Sequence, residues 1–151
     1  MTFRDIPVPP VLAVGSVLVA TLLQKIWPLE RLWQHPAMTV GGGLLLVVGV
    51  GIWAVTLRMF RVRQTTLNPV GKPTTLILTG AYRFSRNPLY VAGVLLLLAI
   101  FVLTALPYFA MGPVVFAWII NGWVIPREEA NLREQFGAAY GDYCARVRRW
   151  L

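Results

Sequence analysis

The sequence predicts an all-α integral membrane protein, with about four transmembrane helices, a cytoplasmic connector and a C-terminal amphipathic helical segment. Three observations predict it. Hydrophobic residues make up 57% of the 151 residues and charged residues 13%, far from the balance of a soluble domain. The apolar residues gather in four runs, at 8–27, 38–59, 88–103 and 108–125. Each run is near the roughly 20 residues that cross about 30 Å of hydrocarbon. The charges fall at the ends of the runs and outside them, most of them between and after. The length suits a single domain over 1–151.

Taken in order, 8–27 is almost uncharged until Lys25, and Pro9 and Pro10 fall in its first turn, where proline is tolerated. Residues 1–10 lack the basic lead and small-residue cleavage pattern of a signal peptide, so this end is expected to be retained. A short loop carrying Glu30, Arg31, Trp33 and His35 leads into 38–59. There Gly41, Gly42, Gly43, Gly49 and Gly51 offer small faces for close helix approach, to another span or to a second copy. The connector that follows carries Arg58, Arg61, Arg63, Lys72, Arg83 and Arg86, and Pro69, Gly71 and Pro73 break any regular helix in it. The third span, 88–103, is short. Thr104 to Pro107 leaves room only for a tight helical hairpin. In the fourth span Gly112-Pro113 is expected to introduce a kink. After Pro126, apolar residues recur every three or four positions from Leu132 through Phe136, Tyr140, Tyr143 and Val147, the pattern of an amphipathic helix that Gly137 and Gly141 could divide.

Net charge is +8. Nucleic acid is not expected as the partner, because the cations have no soluble face to form a stripe on. They act instead as orientation signals and contacts for membrane lipids. With the N-terminus cytoplasmic, Arg4, the six cations of the connector and the five of the tail all lie inside, against Lys25 and Arg31 outside. Both termini are therefore expected on the cytoplasmic side, of the inner membrane in a bacterium. A single cysteine, Cys144, excludes an intrachain disulfide, and His35 stands alone, so no metal site is expected.

The chemistry concentrates in 80–93. Asn87-Pro88 should mark where an extended segment enters the first turn of the third span, because proline suits a helix start and keeps the residue before it out of the helix. That helix end, with Arg83 and Arg86 beside it, suits an anionic group, and Tyr82 and Tyr90 supply half-polar aromatic surfaces where bilayer meets water. The plainer alternative is an interfacial collar that only anchors the span. Glu128 and Glu129, about 100° apart on a helix, come to the same membrane face. One of them could receive an ammonium, or both could simply complement a helix N-terminus.

Two blocks carry a resemblance: Gly80-x-Tyr82-x-x-x-Arg86-Asn87-Pro88-x-Tyr90-x-x-Gly93, then Glu128-Glu129-x-x-Leu132-x-x-x-Phe136-Gly137-x-x-Tyr140-x-x-Tyr143-x-x-Arg146-Val147. Together they resemble the isoprenylcysteine carboxyl methyltransferase family and its phospholipid methyltransferase relatives, over about 74–149. The resemblance implies a membrane enzyme that uses S-adenosyl-L-methionine, held between segments 74–90 and 127–147. It implies cofactor contacts at Thr74, Thr75, Leu76, Ile77, Tyr82, Asn87, Pro88, Leu89, Tyr90 and Glu128, with Arg127 on the substrate side as the catalytic candidate. The implied acceptor is lipophilic, an isoprenylcysteine-like carboxylate, a prenylated substrate or a lipid headgroup. This chain has Asn87 where eukaryotic members have His, and Val124 where they have a substrate-contacting Arg, which departs from the isoprenylcysteine pattern. Two other readings compete. Sterol reductases that use NADPH carry a similar segment, but follow it with an acidic residue where this chain has Val91-Ala92-Gly93. A small non-enzymatic membrane protein is the third, whereas a proton-coupled transporter would need ionisable groups at the centre of its spans.

Overall fold

The computed structural model describes residues 8–62 and 76–151. Among these it contains helices and turns and no strand. The helices are α1 (Val8–Ile26), α2 (Pro36–Val62), α3 (Pro88–Thr104), α4 (Met111–Ile119) and α5 (Ile125–Arg146). Short 3₁₀ turns at Gly80–Arg83 and Pro107–Ala110 precede α3 and α4, and a π-turn at Ile120–Val124 joins α4 to α5. Across the described residues the protein is an all-helical integral membrane protein. Three stretches, Val8–Ile26, Pro36–Arg61 and Pro107–Arg146, hold helices long and apolar enough to cross a membrane, and Pro88–Thr104 is a shorter apolar helix.

Packing places α3 at the centre, with α2 along one side, α4 along the other and α1 against α4. The reason for the α2–α3 fit is a seam of small residues at seven-residue intervals. Gly42, Gly49 and Thr56 are all buried. A Cβ on Gly42 would come 2.7 Å from Leu103 Cγ, and one on Gly49 would come 3.1 Å from Leu96 Cγ. Thr56, fully buried, returns its hydroxyl to its own helix at Ile52 O, 2.7 Å away. The glycines that the sequence offered to another span or a second copy thus divide, since Gly42 and Gly49 serve α3, and Gly41, Gly43 and Gly51 face open space.

Between α3 and α4 the core is Tyr90, Leu97, Phe116, Ile120 and Ile125, with Leu12, Ala13 and Val17 of α1 packed on it. The α3–α4 connection is as tight as expected, because Ala105 takes a left-handed conformation (φ 55°) and Pro107 opens the next turn at once. At that end the α1–α2 loop is tied down by Leu32 N–H to Ala105 O (2.8 Å) and Trp33 Nε1–H to Val102 O (3.0 Å). His35 is exposed there, and its Nδ1 accepts the amide of Ala37 at 3.2 Å, at the start of α2.

One expectation about a helix break needs correction. Gly112-Pro113 does not kink the fourth span, because the α-helix begins only at Met111 and Pro113 falls in its first turn, where a missing amide costs little. Pro126 falls in the first turn of α5, which follows the π-turn with no loop between. The chain runs through it without a break, since the π-turn before it, with Ile125 N–H bonded to Ile120 O, loosens the ladder where the proline ring would otherwise strike a carbonyl. The division of α5 falls at Gly137 (φ 51°, ψ −123°), while Gly141 stays helical.

Candidate functional site

The two sequence blocks meet at the end of the bundle where α2 stops and α3 begins. Gly80 makes the approach possible: its φ of 62° is open to glycine, and a Cβ there would lie 2.6 Å from Met59 Sδ at the end of α2. The 3₁₀ turn that follows carries Tyr82, whose ring meets Phe60 edge-on at 6.2 Å. Tyr143 of α5 donates its hydroxyl to Tyr82 O at 2.8 Å and so fixes the turn from the other side. Asn87 then precedes α3 and Pro88 occupies the first turn, as the sequence predicts.

One turn into α3, Tyr90 donates its hydroxyl to Glu128 Oε1 at 2.6 Å. Both side chains sit below the surface, Tyr90 buried and Glu128 half-buried. Tyr82 lies in the same electrostatic neighbourhood. Burial, then the nearby Tyr143 and Glu128, push its phenol above the ordinary tyrosine range, so it stays neutral at physiological pH. Two tyrosines and one carboxylate therefore converge from the connector, α3 and α5.

Glu129 is treated differently. It is 5% exposed, and its Oε1 meets Arg86 Nη2 at 3.3 Å and Arg149 Nε at 3.1 Å, while Oε2 takes Arg149 Nη2 at 2.7 Å. A buried carboxylate needs such partners. Arg86 also reaches Cys144 Sγ at 2.6 Å. The arginine expected to receive an anion beside the α3 start is thus engaged by Glu129, and of the two expected there only Arg83 is exposed.

Arg149 belongs to a short strap, residues 147–151, that crosses the start of α3. Arg86 N–H donates to Arg148 O (2.9 Å), and Asn87 Nδ2 and Ser85 Oγ donate to Arg149 O (2.9 and 3.4 Å). Beyond them Trp150 packs on the core and donates Nε1–H to Asn121 Oδ1 at 3.0 Å, with Arg149 Nη1 at 3.5 Å from the same oxygen. Asn121 sits in the π-turn.

Of the residues singled out in the sequence, Tyr82, Tyr90 and Glu128 come together. Pro88 is buried at the helix start, Leu89 is half-buried, and Asn87 turns its amide to the strap. Ile77 is buried and Leu76 half-buried just before the 3₁₀ turn. Thr74 and Thr75 lie outside the described residues. Arg127 is exposed and stacks its guanidinium over Trp123, 4.6 Å from the ring centre. Sequence reasoning missed Ser85, Asn121 and Arg149. For Asn121 a signal existed, as the one side-chain amide in the apolar run 108–125. A cavity of about 700 Å³ lies at the opposite end, lined by Gln24, Leu29, Glu30, Arg31, Gln34 and Leu106, and includes no residue of either block.

With this geometry in view, the model of the phospholipid methyltransferase family matches residues 37–139. The chain belongs to the phospholipid methyltransferase family. The match spans α2, the connector, α3, α4 and the first piece of α5, and agrees with the resemblance carried by the two blocks. It stops before Tyr140, so the family model does not reach Tyr143 or the strap. Another protein similar to this phospholipid methyltransferase family member is an uncharacterized protein of Haemophilus influenzae, 44% identical over 41 residues. Those residues are 27% of this chain and 65% of that protein, so the chain spans under two thirds of the relative's length. No solved structure matches.

Proposed function

We propose that the protein is a membrane methyltransferase that takes its methyl group from S-adenosyl-L-methionine and passes it to a lipophilic acceptor. The observation that carries this reading is the Tyr90–Glu128 pair, which joins the two sequence blocks at one end of the bundle. Family membership supports the reaction class.

The donor set fits the cofactor. S-Adenosyl-L-methionine supplies, when bound, a methyl group on a sulfonium together with an ammonium, a carboxylate and an adenine. Glu128 is the carboxylate placed to hold the ammonium, through a charge-assisted hydrogen bond. Tyr90 orients Glu128, and the faces of Tyr82 and Tyr90 suit a cation or a flat base. Pro88, Leu89, Leu76 and Ile77 are the apolar residues available to exclude water, with Thr74, Thr75 and Asn87 as further polar contacts. In-line methyl transfer asks of a protein mainly alignment and dryness, which these residues can supply without a covalent nucleophile. Arg127, exposed beside Trp123, is the group available to an anionic acceptor.

The acceptor enters from the membrane and is a lipid headgroup or an isoprenylcysteine-like carboxylate, and membership of a phospholipid methyltransferase family favours the headgroup. Both termini and the site lie on the cytoplasmic side. The test is incubation of purified protein with lipid extract and a trideuteromethyl donor, read by mass spectrometry. A labelled lipid is expected, and donor consumption without any labelled lipophilic product would remove the acceptor class.

A further inference from the structure

The acidic pair presents two adjacent carboxylates to one small region, and a cationic ligand could be held by either. The structure separates them by charge. Glu129 is enclosed by two guanidiniums, with Arg149 gripping both its oxygens and Arg86 touching Oε1. Glu128 meets a neutral hydroxyl, that of Tyr90, and among the described residues it belongs to no ion pair. The geometry points to Arg149 as a positioning residue: by cancelling the charge of Glu129 it leaves Glu128 as the one carboxylate free for a cation, and Asn121 on the π-turn anchors the strap that carries it. This deepens the proposed function and rests on it for the identity of the cation.

The physical argument runs through what Glu129 would do without Arg149. Left with Arg86 alone, 3.3 Å from one oxygen, a carboxylate this buried would be only partly compensated for its lost hydration. It would draw on the nearest cations for what Arg149 supplied. Those are Arg86, already on Oε1 and then pulled from Cys144, and the ammonium of a ligand seated on Glu128, which would be drawn out of line. Arg149 has the shape for preventing both, since a planar fork meets a carboxylate on two oxygens at once. Its own position is fixed at three points of different kind. The Arg149 carbonyl takes Asn87 Nδ2, its guanidinium takes Glu129, and the next residue, Trp150, is packed on the core and bonded to Asn121. Asn121 accepts from both Arg149 and Trp150, so one side-chain oxygen on the fourth span sets the place of the strap.

The test compares Arg149→Ala with the double variant Glu129→Gln/Arg149→Ala, in detergent, by calorimetric titration with S-adenosyl-L-methionine. Loss of Arg149 should weaken donor binding roughly tenfold, and removing the orphaned charge should bring affinity back to within about threefold of the parent, a tenfold change being about 1.4 kcal/mol. A merely structural strap predicts the reverse, with the double variant as weak as the single one or weaker. Equal binding by Arg149→Ala and the parent, or no recovery in the double variant, overturns the assignment. The same proteins are also melted without donor. If the parent binds no S-adenosyl-L-methionine the proposed function fails, and recovery of thermal stability in the double variant still decides whether Arg149 acts by cancelling the charge of Glu129. Arg149→Lys keeps the charge without the fork and should lie between parent and Arg149→Ala.

Discussion

Glu128 and Glu129 are identical in chemistry and adjacent in sequence, yet one meets a tyrosine hydroxyl and the other two arginines. For Glu128→Gln we expect donor affinity to fall about tenfold or more, because a hydrogen bond to a charged group contributes about 1.5–3 kcal/mol and the neutral amide forfeits much of that. Tyr90→Phe should weaken binding less, since it only frees the carboxylate to turn. Titration calorimetry in detergent reads both, and unchanged affinity for Glu128→Gln would remove that residue from the site. Arg127 sits apart, exposed and stacked on Trp123. Arg127→Ala should slow turnover about tenfold at saturating donor, the equivalent of about 1.4 kcal/mol in the barrier. A pure loss of donor affinity would move Arg127 to the donor's side. At this scale the sequence was legible for the meeting of Tyr82, Tyr90 and Glu128 at one end of the bundle, and their roles toward a donor are part of the proposal. It was not legible for Arg86, because an arginine near a helix start reads as an anion site until the carboxylate that occupies it is located, nor for Arg149, which reads only as one of the five cations of the tail.

Which carboxylate faces Tyr90 is decided at the level of the helix, by the π-turn Ile120–Val124. Each residue advances an α-helix by about 100°, so one residue more or less before α5 swings the whole acidic face to another side. Deleting Gly122 should therefore preserve helical circular dichroism while reducing donor binding more than tenfold, the fold-change equivalent of over about 1.4 kcal/mol. Gly122→Ala is the control, since a Cβ there meets nothing within 4 Å and Gly122 is exposed. If the deletion binds donor as the parent does, the turn does not set the register of the site. The spans themselves were legible because hydrophobicity and length mark them directly. The π-turn and the uninterrupted passage through Pro126 were not. Proline's missing amide can end a helix or be absorbed by a wider turn, and local sequence does not distinguish the two outcomes.

For the whole molecule, the exposed apolar side chains of α1 and α2, among them Leu18, Leu22, Val40, Leu44 and Val47, form the surface a bilayer would cover. The proposed orientation rests on the cations and is open to a direct test: in a Cys144→Ser background, a cysteine at position 31 should react with an impermeant maleimide from outside intact cells. One at position 133 should react only after permeabilisation. The opposite pattern would invert the proposed topology. The helical class was legible from composition alone, and so was the meeting of the two blocks, since an up-and-down bundle brings the start of its third span and the end of its fourth to one side. The strap was not, because five residues without an apolar repeat carry no periodic signal. A last consequence concerns α3, the 17-residue helix on which Tyr90 is mounted. At 1.5 Å per residue it reaches only about 25 Å, a few ångströms less than the hydrocarbon of an ordinary bilayer. Lipids with shorter acyl chains relieve that mismatch and longer ones draw the helix deeper among the tails, so the thickness of the surrounding bilayer bears on the depth at which Tyr90 meets Glu128.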